Sequence, residues 1–175
     1  MNTLDVSVWL IPSNKDLLIF QPLVNQLAHK YHSYPFIPHI TLYHPQTSLH
    51  PDKVVSILQK HSRHFKTIKL KSLDVSYSNI FTQTLYIKYL LSKSLSQLFD
   101  IIKPEFSKHR EYHLAPHLSL LYSHHITPTQ QSLEAKASAT PTHSSRQNHG
   151  HCQIRYHHRH WVRCTQMGNI LWILS

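Results

Sequence analysis

Two segments of the chain place an imidazole and a hydroxyl two positions apart. They are Pro38-His39-Ile40-Thr41-Leu42 and, 78 positions later, Pro116-His117-Leu118-Ser119-Leu120. In an extended strand residues i and i+2 share a face. His39 and Thr41 then point one way while Ile40 and Leu42 enter a core, and His117 and Ser119 stand in the same relation to Leu118 and Leu120. Two histidines near neutral pH can divide the work of general base and general acid. Two hydroxyls can donate hydrogen bonds to the nonbridging oxygens of a phosphoryl group. Together these groups suit the opening of a phosphate ester without a metal. With 18 histidines in 175 residues a single match is weak. Requiring the preceding proline lowers the chance expectation to roughly 0.03 per chain, before a second copy is asked for.

Regular elements must hold these segments. Residues 4–11 alternate as a strand that Pro12-Ser13-Asn14 ends. A helix from about Asp16 to Tyr31 follows, with Leu17, Phe20, Val24 and Leu27 along one stripe. Pro35 and Pro38 impose an extended approach to the first motif. Pro51-Asp52 opens a second helix carrying Val54, Val55 and Leu58. Residues 64–77 alternate as one long strand or two shorter ones, residues 82–90 form another, and a helix over about 91–101 leads into the basic stretch Lys103–Arg110. The second motif strand runs from Pro116 to Tyr122, and a helix follows Pro128. Each motif thus lies after a helix and a loop and before a proline-containing turn and a helix, as in two related halves.

A core carrying both motifs is assigned to residues 1–134. Residues 135–175 differ in character: they contain no Asp or Glu, hold a YHHRH run, and show a strand pattern only at Ile170–Leu174. This atypical His/Arg-rich tail has two readings. Either it is a basic surface region whose last strand completes the second lobe, or it is degenerate because the coding frame or the constraint on it has changed.

The length fits one domain or two small lobes sharing a core. No apolar run approaches the length of a membrane span, and Asp5 stands where a signal peptide would be basic, so neither is expected. Cys152 and Cys164 are the only cysteines, which fits a reducing cytoplasm. A monomer is expected. The formal charge of +10 favours anionic ligands. Gly150 and Gly168 are the only glycines, so no glycine-rich phosphate cradle exists in the first 149 residues. Any phosphate there is gripped by side chains or by ordinary backbone amides.

The paired motifs resemble those of the 2H phosphoesterase superfamily, which is named for two H-x-[Ser/Thr]-hydrophobic segments. With the opening SVWLIPS, the segments PHITLYHP and PHLSLLY most resemble the cyclic phosphodiesterase-like branch, with the 2′–5′ RNA ligase-like proteins as the near alternative. The resemblance covers roughly residues 4–134. It implies a bilobal α+β fold with two antiparallel sheets related by a pseudo-twofold axis around a central cleft. It also implies catalysis by His39 and His117, with Thr41 and Ser119 binding the phosphate and no cofactor. The implied reaction opens a 2′,3′-cyclic phosphate of a nucleoside or RNA end to a 2′-phosphate, or ADP-ribose 1″,2″-cyclic phosphate to the 1″-phosphate. In this scheme one of the two histidines activates water and the other protonates the leaving oxygen; either order fits the sequence, and His117 is taken as the base and His39 as the acid. The alternative is a non-catalytic binder of RNA ends or cyclic nucleotides, and a degenerate family member is a third reading.

Other side chains carry weaker signals. Tyr43 and Tyr122 lie just beyond the motifs and can stack on a base, or pack at a strand end. Trp9 is expected in the core rather than lining the cleft. Lys103, Lys108 and Arg110 form a basic loop that either attracts a phosphate or is simply solvated. His61 with His64, and His109 with His113, have spacings a metal can use, but no further ligands accompany them and no metal is expected.

Overall fold

The computed structural model describes residues 4–44, 48–49, 51–61, 68–106, 112–144, 149–153 and 171–174. Eight strands occur in chain order as β1 (Leu4–Pro12), β2 (Ile40–Tyr43), β3 (Ser48–Leu49), β4 (Ile68–Tyr77), β5 (Leu85–Tyr89), β6 (His117–Leu121), β7 (His149–Gln153) and β8 (Leu171–Leu174). Four helices accompany them: α1 (Asn14–Lys30), α2 (Pro51–His61), α3 (Lys93–Phe106) and α4 (Pro128–Ser144). The fold class is α+β.

Side chains start three of the helices where the sequence offers a cap. Ser13 Oγ accepts the Asp16 amide at 3.2 Å and donates to the Asp16 carboxylate at 2.7 Å, opening α1. Ser92 Oγ accepts the Leu95 amide at 3.2 Å at the start of α3. Before α4, Thr127 Oγ1 accepts the Gln130 amide at 3.3 Å while Gln130 Oε1 accepts the Thr127 amide at 2.9 Å, a reciprocal capping box. Glycine is too scarce to end α1, and His32 takes the left-handed conformation there, with φ 50°.

All strand pairings are antiparallel, and they join one eight-stranded sheet in the order β2-β6-β5-β4-β7-β1-β3, with β8 also on β1. Because β1 pairs with β2 as well, the path from β2 through β6, β5, β4, β7 and β1 returns to β2. The expected pair of separate sheets is therefore corrected to one sheet among the described residues. The physical cause is pairing between the halves at two places: Ile40 of β2 lies against Leu118 of β6, and β7 pairs with both β4 and β1.

The register explains the core. Leu10 opposes Ile40, Ile40 opposes Leu118, and Leu118 opposes Ile87, so one row of fully buried aliphatic side chains crosses β1, β2, β6 and β5. The helices cover this cluster with Val24 and Leu27 of α1, Ile57 of α2, Leu95 and Ile102 of α3, and Ala135 of α4. Polar ties close the helix pairs. Lys60 and His61 at the end of α2 each reach Glu105 of α3 at 2.6 Å, and Tyr31 and Lys30 at the end of α1 hold Glu134 of α4. Among the described residues no helix is long and apolar enough to cross a membrane.

Two strands lie in the tail. β7 pairs with β4 over Ile68–Lys71 and with the end of β1, and β8 runs along Val6–Trp9 of β1. The expected final strand at Ile170–Leu174 is found as β8. β7 has no counterpart among the expected elements, because HGHCQ carries no alternating pattern and is recruited by backbone pairing with its neighbours.

Candidate active site

The row of aliphatic side chains fixes what lies on the opposite face of the same four strands. With Ile40 opposite Leu118, antiparallel register places His39 across from Ser119 and Thr41 across from His117. Trp9 opposes Thr41 on β1, and Lys88 and Tyr86 on β5 oppose His117 and Ser119. Two polar rows result: Trp9, Thr41, His117, Lys88 and, beside it, His39, Ser119, Tyr86. The structure thus brings His39, Thr41, His117 and Ser119 onto one face of two adjacent strands, with directly opposed Cβ atoms about 5 Å apart and diagonal ones about 7 Å.

The two histidines are held alike. His39 Nδ1 lies 2.7 Å from the Ile37 carbonyl and His117 Nδ1 lies 2.8 Å from the Ala115 carbonyl. In each motif the intervening proline keeps the chain extended and turns the carbonyl two residues back toward the ring. A carbonyl only accepts, so each Nδ1 carries its proton and each Nε2 is left for chemistry. The environments then diverge. His39 is 6 % exposed, its ring stacked on Trp9 with centroids 3.4 Å apart and planes 7° from parallel, and its edge toward Phe36. Trp9 is held in turn by a 2.8 Å hydrogen bond from Nε1 to Ser7 Oγ. His117 is half-buried with its ring edge-on to Tyr86, centroids 5.5 Å apart.

Burial pushes the His39 imidazole down to about 4; the hydrogen bond to Ile37 opposes this, and the nearby His117 adds to it. The sign of the pH effect on stability follows. His39 binds its proton near 6.5 when unfolded and only near 4 when folded, so its contribution is complete above about pH 6.5 and is lost as pH falls toward 4. The expected loss is on the order of 3 kcal/mol. Urea unfolding at pH 7 and pH 4 should show wild type losing that much more stability than His39→Gln. Replacing Trp9 with Ala exposes the ring, and His39 should then titrate closer to 6.5 in an NMR pH series; an unmoved midpoint contradicts the burial account.

The hydroxyls differ as well. Ser119 is 4 % exposed and donates to the Thr82 carbonyl at 2.6 Å, so donating to a phosphoryl oxygen requires rotation about Cβ–Oγ. Thr41 is half-buried, and its hydroxyl makes no hydrogen bond among the described residues. The segment 78–84 that supplies Thr82 is pinned by Thr84 Oγ1, which donates to the Ser123 carbonyl at 2.9 Å and accepts the Ser123 amide at 3.0 Å.

Tyr122 lies at the edge of the site, stacked on Phe36 with centroids 3.9 Å apart and tilted against Phe81. Burial raises its hydroxyl above the usual phenol range, opposed by Ser119. Tyr43 is elsewhere. A bulge in the β1–β2 pairing sets Val8 opposite Tyr43 but Trp9 opposite Thr41, and Leu42 is the extra residue. The bulge turns Tyr43 into the core, 0 % exposed, against Phe99 and Tyr112. The base-stacking role expected for Tyr43 is corrected on that ground. Trp9 is corrected in the opposite sense: Val8 and Leu10 take the core positions of β1, so Trp9 faces the site.

Sequence reasoning passed over Tyr86, Lys88 and Thr82. The alternation Leu85, Ile87, Tyr89 carried the signal for the first two, since it puts Tyr86 and Lys88 on the face opposite the core. Of the basic loop, Lys103 lies over the Phe99 ring, and Lys108 and Arg110 fall outside the described residues. His61 is engaged with Glu105, and His64 and His109 fall outside the described residues. Among the described residues no group of three or more His, Cys, Asp or Glu is placed to hold a metal ion.

Among curated proteins no match to the chain is found. A family model described as "Cyclic phosphodiesterase-like protein" matches residues 4–149, which takes in both motifs, all of α4 and the first residue of β7. With that span and two H-x-[Ser/Thr] strands paired side by side, the chain belongs to the cyclic phosphodiesterase-like family within the 2H phosphoesterase superfamily.

Proposed function

We propose that this protein hydrolyses a cyclic phosphodiester, opening a 2′,3′-cyclic phosphate to the 2′-phosphomonoester by acid–base catalysis between His39 and His117. The observation that supports the reading is the pairing of Ile40 with Leu118, whose register sets two imidazoles and two hydroxyls on one face. The roles follow from burial. His39 is neutral at neutral pH with Nε2 unprotonated, as a general base must be. Water attacks phosphorus and gives its proton to His39 Nε2. The P–O3′ bond breaks, and the 3′ oxygen takes a proton from His117 Nε2. Phosphorus keeps its bond to the 2′ oxygen, and the two histidines return to their starting forms by exchanging protons with solvent. This order is the opposite of the one taken in the sequence reading, with His117 as base and His39 as acid. Thr41 and Ser119 donate to the nonbridging oxygens, where charge builds as water adds. The negative charge of the bound diester raises the His39 basicity toward the range a general base needs.

The test is turnover of a nucleoside 2′,3′-cyclic phosphate by folded protein in the presence of a chelator, with the position of the product phosphate resolved. A 2′-phosphate supports the reading. A 3′-phosphate reverses the assignment of the leaving oxygen, and binding without turnover supports a non-catalytic ligand-binding protein.

A further inference from the structure

Among the described residues, the cation that register sets directly against a motif histidine is Lys88, and the proposed chemistry does not use it. Register fixes its place: Lys88 opposes His117 directly, one strand further from His39 and Thr41. Its Nζ is 3.9 Å from the Asp74 carboxylate on β4, and both side chains are about half exposed, 46 % and 58 %. An ion pair that long and that open to water holds neither partner firmly. Asp74 also accepts a hydrogen bond from Ser76 Oγ at 2.9 Å, so the carboxylate keeps a partner when the lysine leaves. Lys88 therefore sits on the far side of His117 from Thr41 and diagonal to Ser119, on the β4–β5 side of the site.

We infer that Lys88 is a specificity-determining residue that binds a second, non-scissile phosphate of the substrate. The inference rests on the reading of the site as a cyclic phosphodiesterase. The scissile diester carries one charge and is met by neutral donors, Thr41 and Ser119. A cation displaced by one strand matches an anion displaced along the ligand. Two sources supply that chemistry: the preceding phosphodiester of an RNA end, or the pyrophosphate of an ADP-ribose cyclic phosphate. Asp74 competes weakly with that phosphate for the Lys88 ammonium.

The experiment compares kcat/KM for three ligands: a nucleoside 2′,3′-cyclic phosphate, a dinucleotide ending in a 2′,3′-cyclic phosphate, and ADP-ribose 1″,2″-cyclic phosphate. Wild type, Lys88→Ala, Lys88→Arg and Asp74→Asn are assayed at low and physiological salt. The quantity read is the ratio of each phosphate-bearing ligand to the nucleoside ligand. Wild type should favour one phosphate-bearing ligand by about three- to tenfold. Lys88→Ala should bring that ratio near one, Lys88→Arg should keep it, and Asp74→Asn should raise it. Whichever ligand shows the effect identifies the source. A ratio that Lys88→Ala leaves unchanged for both ligands overturns the inference. Calorimetric titration with the 2′-phosphate products, with and without the second phosphate, gives the same comparison without turnover. Absence of turnover by folded protein then counts against the esterase reading, while the titration still decides the role of Lys88.

Discussion

His39→Gln and His117→Gln each lower kcat for the cyclic phosphate by about 10²- to 10⁴-fold, the range lost when one positioned acid or base is removed. Glutamine keeps a side-chain donor and much of the volume, so the stack on Trp9 and the contact with Tyr86 are largely retained. The two variants differ in what else they change. His39 is the buried partner, and on the proposed assignment removing it takes away a base that stays unprotonated down to about pH 4. The acid limb of the wild-type pH–rate profile should therefore fall well below the ordinary histidine range in the free enzyme, as read from kcat/KM. His117 is the more open ring, and its loss removes the proton donor. A leaving group that needs no proton should then restore much of the rate to His117→Gln and little of it to His39→Gln. Equal rescue of both would show that burial does not set the division of roles. The double variant should be little slower than either single one, since the two groups act on one event.

The second large effect is on stability. Leu118→Ala should cost about 2–5 kcal/mol, because it empties the middle of the aliphatic row between Ile40 and Ile87. Against a total of about 5–15 kcal/mol for an ordinary domain this is a severe loss. It should appear as a lower urea midpoint with little change in slope. Leu73→Ala, on the exposed side of β4, should stay within about 0.5 kcal/mol. Leu118 also connects stability to chemistry. It lies between His117 and Ser119 and directly across from Ile40, so any shift of β6 on β2 displaces His117 and Ser119 relative to His39 and Thr41. Displacement near 1 Å is enough to cost about 100-fold in rate. The folded fraction of Leu118→Ala should therefore be slower per molecule as well as scarcer, and full specific activity in that fraction would contradict the link.

Much of this site is legible in the sequence for a local reason. A two-residue period, a proline ahead of each histidine and an apolar residue between each imidazole and hydroxyl leave few arrangements other than a strand with one wet face. What escapes local reading depends on pairing. Tyr43 keeps the parity of His39 and Thr41 in sequence, yet the bulge at Leu42 reverses it, and no property of that pentapeptide announces a bulge. Trp9 was misplaced even though the Val8 and Leu10 alternation was available, because a large apolar ring invites a core assignment. Lys88 acquires meaning only once Leu118 is seen opposite Ile87. β7 has no period of its own and is strand only because β4 and β1 offer it hydrogen bonds. The single sheet also follows from pairings between the halves, β2 with β6 and β7 with β4 and β1, that neither half of the sequence contains.

The direct test of the central claim is the product of a 2′,3′-cyclic phosphate incubated with folded wild type, His39→Gln and His117→Gln under chelation, resolved by ³¹P NMR. The account predicts a 2′-phosphate from wild type and at least about 100-fold less of it from either variant. Undiminished hydrolysis by both variants would contradict it.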